Sequence, residues 1–211
     1  MWVAIFGPDG VGKSAVIERL KRQLDGEFDG STQLHFRPRL GASGQARTPV
    51  TRPHARNARG LLVSIVKLVY WLLDCWAGYL FFVCPRLRKA QLVIFDRYLP
   101  DVVVDPMRYR LPASVEKIAA ALASLAPQPD LYILLDAPAE TVQSRKREVA
   151  AAETHRQCLA YRMMFESTPG AVVVNANRPV SQVAQSVAAL ISSCRPTRPH
   201  PEAKLLVNSA D

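Results

Sequence analysis

The sequence has few of the residues that staple or metal-clamp a fold. Its four cysteines, Cys75, Cys84, Cys158 and Cys194, show no C-x-x-C or Cys/His ligand spacing. That scatter argues against a disulfide framework or structural metal and predicts reduced thiols in a cytoplasmic protein. A cleavable leader is not expected either, because the chain opens on a strand pattern. Acids are scarce, 18 against 27 lysines and arginines, for a net charge of +9. From Arg37 to Gly60 there is none, whereas Arg37, Arg39, Arg47, Arg52, Arg56 and Arg59 fall there among prolines and glycines. The excess predicts anionic partners without choosing among nucleotides, nucleic acid and anionic lipid. Loop 37–60 is expected either as a solvated connection or as a surface that gathers an anionic acceptor or lies on an anionic membrane.

Uninterrupted apolar runs long enough to span a bilayer are also lacking. Leu61 to Cys84 is the longest apolar stretch, but Lys67 and Asp74 break it. Each would cost about 2.5–3.5 kcal/mol near a bilayer centre. The segment is expected to be a mostly buried core helix rather than a transmembrane one, with a membrane-surface or dimerisation helix as the alternative.

What is present organises itself as alternating β and α patterns over 211 residues, 49% of them hydrophobic. Short apolar runs at Trp2–Phe6, Gln33–Phe36, Leu92–Phe95, Leu131–Leu135 and Ala171–Val174 predict five strands. Helical spacing joins Val16, Ile17, Leu20 and Leu24, then Val115, Ile118, Ala119, Leu122 and Leu125, and later Val180, Val183, Ala184, Val187, Leu190 and Ile191. Apolar strands alternating with helices predict an α/β fold of three layers, a parallel sheet covered on both faces. Residues 1–193 are expected to form one domain, and 194–211, rich in proline, an extended tail.

Directly after the first strand stands Gly7-Pro8-Asp9-Gly10-Val11-Gly12-Lys13-Ser14, followed by Ala15 and an apolar helical face. It fits the phosphate-cradling pattern G-x-x-x-x-G-K-[ST] in the strand–loop–helix context that the pattern requires. Glycines let backbone amides turn toward phosphate oxygens, and a helix N-terminus adds partial positive charge. A nucleoside triphosphate, ATP, is the expected ligand, with Lys13 on its outer phosphates and the Ser14 hydroxyl on Mg²⁺. The third strand ends Asp96-Arg97-Tyr98. Strand C-termini are where open α/β sheets place ligands, so Asp96 is expected near Mg²⁺ and Arg97 on a phosphate.

Together with Pro129-Asp130-Leu131-Tyr132-Ile133-Leu134-Leu135-Asp136 and the arginine-rich helix after it, these motifs resemble the thymidylate kinase family of P-loop nucleoside monophosphate kinases. The resemblance runs from about Met1 to Ser193. It implies that Asp9 faces the acceptor sugar, that Arg97 and Arg37 hold the acceptor phosphate, and that Asp96 and Tyr98 adjoin them. It further implies a lid over about 145–160, with Arg145, Lys146, Arg147 and Arg156 as candidates to cover adenine or reach the transferring phosphoryl. Asn175-Ala176-Asn177 falls where the family touches adenine. Dimers through helices such as Leu61 to Cys84 are part of the same expectation, and nucleic acid is not an expected partner.

Two family features are missing: the arginine that reads thymine from the helix after the basic loop, and a Ser-x-x-Ala-Tyr-Gln-like segment after Asp-Arg-Tyr. Here that helix reads Leu72-Leu73-Asp74-Cys75-Trp76. The later loop carries Asp101, Asp105, Arg108 and Arg110, which either face the acceptor, Asp105 and Arg108 foremost, or pair with one another. That loop resembles one in thymidylate-kinase-like proteins of bacterial surface-polysaccharide functions. Three readings follow: a kinase of nucleoside monophosphates with dTMP as leading acceptor, a kinase of a sugar or lipid-linked glycan, and a nucleotide-binding switch that transfers nothing.

Overall fold

Period-two alternation along the strands decides the layers. Trp2, Ala4, Phe6, Val93, Phe95, Tyr132 and Leu134 belong to one core, and Val3, Ile5, Leu92, Ile94, Ile133 and Leu135 to the other. Successive strand residues point to opposite faces, so the three central strands each feed both cores. The computed structural model describes residues 1–36, 58–147 and 149–194. Arg37, most of the basic loop and the tail from Arg195 lie outside them.

Strands β1 (Trp2–Phe6), β2 (Ser31–His35), β3 (Leu92–Asp96), β4 (Leu131–Asp136) and β5 (Ala171–Asn175) form one parallel sheet in the order β2-β3-β1-β4-β5. Helices α1 (Lys13–Gln23) and α8 (Val180–Ser193) cover one face. The other is covered by α2 (Leu61–Gly78), α4 (Asp101–Val104), α5 (Glu116–Ser124) and α7 (Ala151–Glu166). Short helices α3 (Cys84–Arg88) and α6 (Ala139–Arg145) complete the set. Only β2 departs noticeably from its expected span. It begins at Ser31 and ends before Phe36, whose φ of 62° takes the chain out of the extended region.

The strand order brings the C-terminal ends of β1 and β3 side by side, with Ile5 in register with Asp96. After β1 the chain turns to the β2 side, and after β3 it crosses over to β4. Such a reversal opens a crevice above the strand ends.

The mostly buried helix expected at Leu61 to Cys84 is corrected by the structure. Ser64, Leu68, Trp71, Asp74 and Cys75 of α2 face the core, but Leu62 is 77% exposed and Leu73 62%. A π-helical turn, Tyr79–Val83, continues α2 into α3, and its Phe81 is 72% exposed. Apolar residues encircle this helix while the sheet can cover only one side of it.

Candidate active site

The phosphate loop begins where β1 stops. Gly7 sits at φ 141°, and a side chain there would press a Cβ to 2.7 Å from the Leu135 carbonyl oxygen. Gly12 caps α1 at φ 105°, left-handed backbone that L side chains rarely adopt, and a Cβ on it would enter open space. The loop is thus glycine for packing at one end and for chain direction at the other. Val11 is buried, Gly10 packs against α6, and Ser14 and Ala15 are exposed on the first turn of α1. The backbone amides of that turn and its partial positive charge suit an anion. Lys13, 7% exposed, donates to the carbonyls of Gly7 at 2.7 Å and Pro8 at 2.9 Å and lies 3.9 Å from the Asp9 carboxylate.

Arg97 stands opposite. Its backbone N–H donates to the Ile5 carbonyl at 3.0 Å, and its φ of 69° is costly for a side-chain-bearing residue. The guanidinium is buried. One nitrogen donates to both oxygens of Asp101 at 2.8 and 2.9 Å and to the Tyr161 hydroxyl at 2.7 Å, and the other donates to Asp9 at 2.5 Å. Burial opposes its charge, but the carboxylates of Asp101 and Asp96 outweigh burial and hold it firmly cationic. Asp101 also accepts from Tyr109 at 2.7 Å and from Tyr161. Burial first, and then Asp101, push both phenols up, so they remain neutral donors.

Arg108 pairs with the other Asp9 oxygen and lies 3.5 Å from Asp105. The acid-then-basic loop therefore pairs internally, and it also sends Arg108 to the phosphate loop. Asp105 itself is corrected. It is buried and accepts from Gln157 at 3.0 Å and the Arg108 amide at 3.1 Å, which makes it a prop for Arg108 instead of an acceptor contact. Tyr98 is corrected too. Packed on Trp2 and Phe95 in the core, 1% exposed and bonded to Cys75, it cannot reach a ligand.

Asp96 is buried, and its Oδ1 has no hydrogen-bond partner among the described residues. Burial presses the carboxyl toward its neutral form. A bond from His35, with the charges of Lys13 and Arg97, outweighs that and holds it below the usual carboxylate range. A buried ionised oxygen with no hydrogen-bond partner among the described residues fits a metal-bound water, as does the Ser14 hydroxyl on the exposed turn. No cluster of three His, Cys, Asp or Glu capable of holding a metal occurs among the described residues. Mg²⁺ needs only one or two protein oxygens and completes its shell with phosphates and water. Because the folded pKa is lowered, ionised Asp96 stabilises the fold above about pH 4, and that contribution fades as pH falls through the lowered value. An Asp96→Asn variant is expected to trail the parent in urea stability at neutral pH, with the gap closing in acid. A gap independent of pH would rule this out.

On the donor side, Arg145 donates to the carbonyls of Val11 at 3.1 Å and Ala176 at 3.2 Å, tying α6 to the phosphate loop and to the turn after β5. Asn177 in that turn accepts from Thr141 at 3.2 Å. Arg147 is exposed past the end of α6. Arg156, a lid candidate, bonds Glu153 and, at 3.0 Å, the Val104 carbonyl, so it holds the acceptor-side loop instead. Arg37 lies outside the described residues. Sequence reasoning missed Tyr161, Gln157 and Tyr109 as partners of the arginines. The four-residue step from Arg97 to Asp101 was a usable signal, whereas Tyr161 is 64 positions from Arg97 and left none.

The sequence is similar over its length to curated proteins. It is 29% identical over 203 residues to a probable thymidylate kinase of Pyrobaculum aerophilum, covering 90% of this chain and 95% of that one. To the thymidylate kinase of Xanthomonas campestris pv. campestris it is 28% identical over 196 residues, 90% of this chain and 82% of the relative. No protein-family model matches. A deoxyadenosine kinase from M. mycoides, solved with bound dATP, superposes with a TM-score of 0.57 at 16% identity over 91% of this chain and all of its own, a likeness of fold. Phosphate loop, strand order and chain-long similarity agree: the chain has a P-loop α/β fold and is similar over its length to proteins named thymidylate kinase.

Proposed function

We propose that the protein transfers the γ-phosphoryl of ATP to a nucleoside monophosphate, with dTMP as the leading acceptor. The observation that carries this is the bridge between the two halves of the crevice: Arg97, delivered by β3, meets Asp9 inside the phosphate loop at 2.5 Å. An anion gripped by Arg97 and Arg108 would lie beside the outer phosphates of a nucleotide in that loop. The curated relatives named thymidylate kinase support the choice of acceptor.

Phosphoryl transfer passes through a loose transition state, so alignment and charge neutralisation are most of what the protein supplies. Loop amides from Gly7 to Ser14 hold the donor. Lys13 leaves its loop carbonyls for the β- and γ-oxygens, while Arg145, already on the Val11 carbonyl, adjoins the nucleotide beside Asn177. Ser14 and Asp96 would hold Mg²⁺, which neutralises charge building on the phosphate oxygens. Arg97 and Arg108 exchange Asp9 for the acceptor phosphate, and the released Asp9 carboxylate is placed to accept from an acceptor hydroxyl.

The test is ADP release with dTMP, other nucleoside monophosphates and phosphosugars offered separately. Turnover is expected with dTMP at least tenfold above the phosphosugars, since a site that bonds a base penalises its loss. Turnover with phosphosugars alone would favour the second reading, a glycan or lipid-linked acceptor. One observation supports that reading: Lys67, the one cation of α2, is bound to the Tyr109 carbonyl rather than held open for a base.

A further inference from the structure

The whole charge excess of the chain lies in one segment. Residues 30–95 hold ten lysines and arginines and a single acid, Asp74, leaving 17 of each sign for the remainder. Asp74 is buried, so this segment presents no carboxylate outward. The same segment carries the uncovered apolar face of the α2–α3 helix. Leu62, Val66, Tyr70, Leu73, Trp76 and Phe81 are all exposed along it, at spacings that keep them on one side. Leu125 of the neighbouring turn, 60% exposed, extends the patch, and Trp76 donates to its carbonyl at 3.0 Å. Exposed Arg59 precedes the helix, and exposed Arg88 and Lys89 follow it. The run Leu61–Arg88 is long and apolar enough to cross a membrane by length and composition, yet its inner side is packed on the sheet.

We propose that this face docks in the plane of an anionic lipid bilayer, with the apolar stripe in the headgroup boundary and the flanking cations on lipid phosphates. Soluble surfaces rarely leave so large an apolar patch uncovered. Lying in the interface satisfies it while the core-facing side stays on protein, and Tyr70 and Trp76 suit the headgroup level. Charge separates a bilayer from a second copy of the chain. Two-fold pairing of these faces would set basic ends against basic ends, with exposed Glu116 at the start of α5 as a nearby acid against Arg59, Arg88 and Lys89. An anionic surface supplies the missing counter-charge. The inner side of the same helix meets the acceptor loop, through Lys67 on Tyr109 and Trp71 against its ring at 5.6 Å. Docking would therefore set the acceptor side of the crevice near the membrane.

The experiment is co-sedimentation of the full chain with vesicles of phosphatidylcholine, or of phosphatidylcholine part-replaced by phosphatidylglycerol, at low and high salt, with light scattering on the protein alone. The expected result is binding to the anionic vesicles that salt weakens, with little to the neutral ones. Paired Leu73→Gln and Phe81→Gln should abolish binding without shifting the melting temperature, because both side chains are already in water. Paired Arg88→Gln and Lys89→Gln should weaken it roughly 20- to 30-fold, at about fivefold per charge near an anionic surface. Absence of binding, or equal binding to neutral vesicles, would overturn the proposal. So would a particle of twice the monomer mass that the Leu73 and Phe81 changes convert to monomer, which would mean that a second copy covers the face.

Discussion

Lys13→Ala is expected to lower phosphoryl transfer about 100- to 1,000-fold, the usual effect of removing one preorganised donor from a developing anion. The ammonium is held ready by two loop carbonyls at 2.7 and 2.9 Å, so its move onto a phosphate is short. Its carbonyl partners are two buried backbone oxygens, whose loss of a donor should cost about 1–3 kcal/mol and leave the domain folded. Steady-state ADP release measures the loss, and a thermal melt with and without ATP separates chemistry from binding. A variant that melts like the parent, is still stabilised by ATP and turns over within threefold of it would remove Lys13 from the mechanism.

Asp101→Ala carries the largest expected cost in stability. The carboxylate is fully buried and accepts from Arg97, Tyr109 and Tyr161. Deleting it strands a buried guanidinium whose other carboxylate partner, Asp9, is partly exposed. Losing one member of a buried ion pair costs about 3–5 kcal/mol, a large part of a domain's total of about 5–15. Urea denaturation should show this as an earlier midpoint with an unchanged slope. Asp101→Asn, which keeps one acceptor oxygen, should lose less. If the two variants are equally stable, the charge of Asp101 contributes nothing.

How far the sequence foretold this depended on whether the deciding contacts were local. Glycine spacing and Lys13-Ser14 fix the phosphate loop because amide direction and φ are properties of a few consecutive residues. Asp96 and Arg97 were legible because a buried strand must deliver its next residues at the sheet edge. Tyr98 and Asp105 were misplaced because alternation after a strand end does not tell which of neighbouring side chains turns inward. Tyr98 went to the Trp2 side and Asp105 under Arg108. The exposed half of α2 escaped for a related reason: an all-round apolar helix reads as buried until its neighbours are counted.

Helix α7 touches the acceptor loop three times, through Arg156 on Val104, Gln157 on Asp105 and Tyr161 on Arg97, and it begins just beyond the segment that carries Arg145 and Arg147. On the function proposed above, a tilt of α7 on nucleotide binding would act on the acceptor loop and on the arginine pair together. Occupancy of one half of the crevice would then change the affinity of the other by a common factor, whichever ligand arrives first. Mutual tightening of the two ligands, read as a Kd for each in the presence of the other, would follow from where a single helix is fastened.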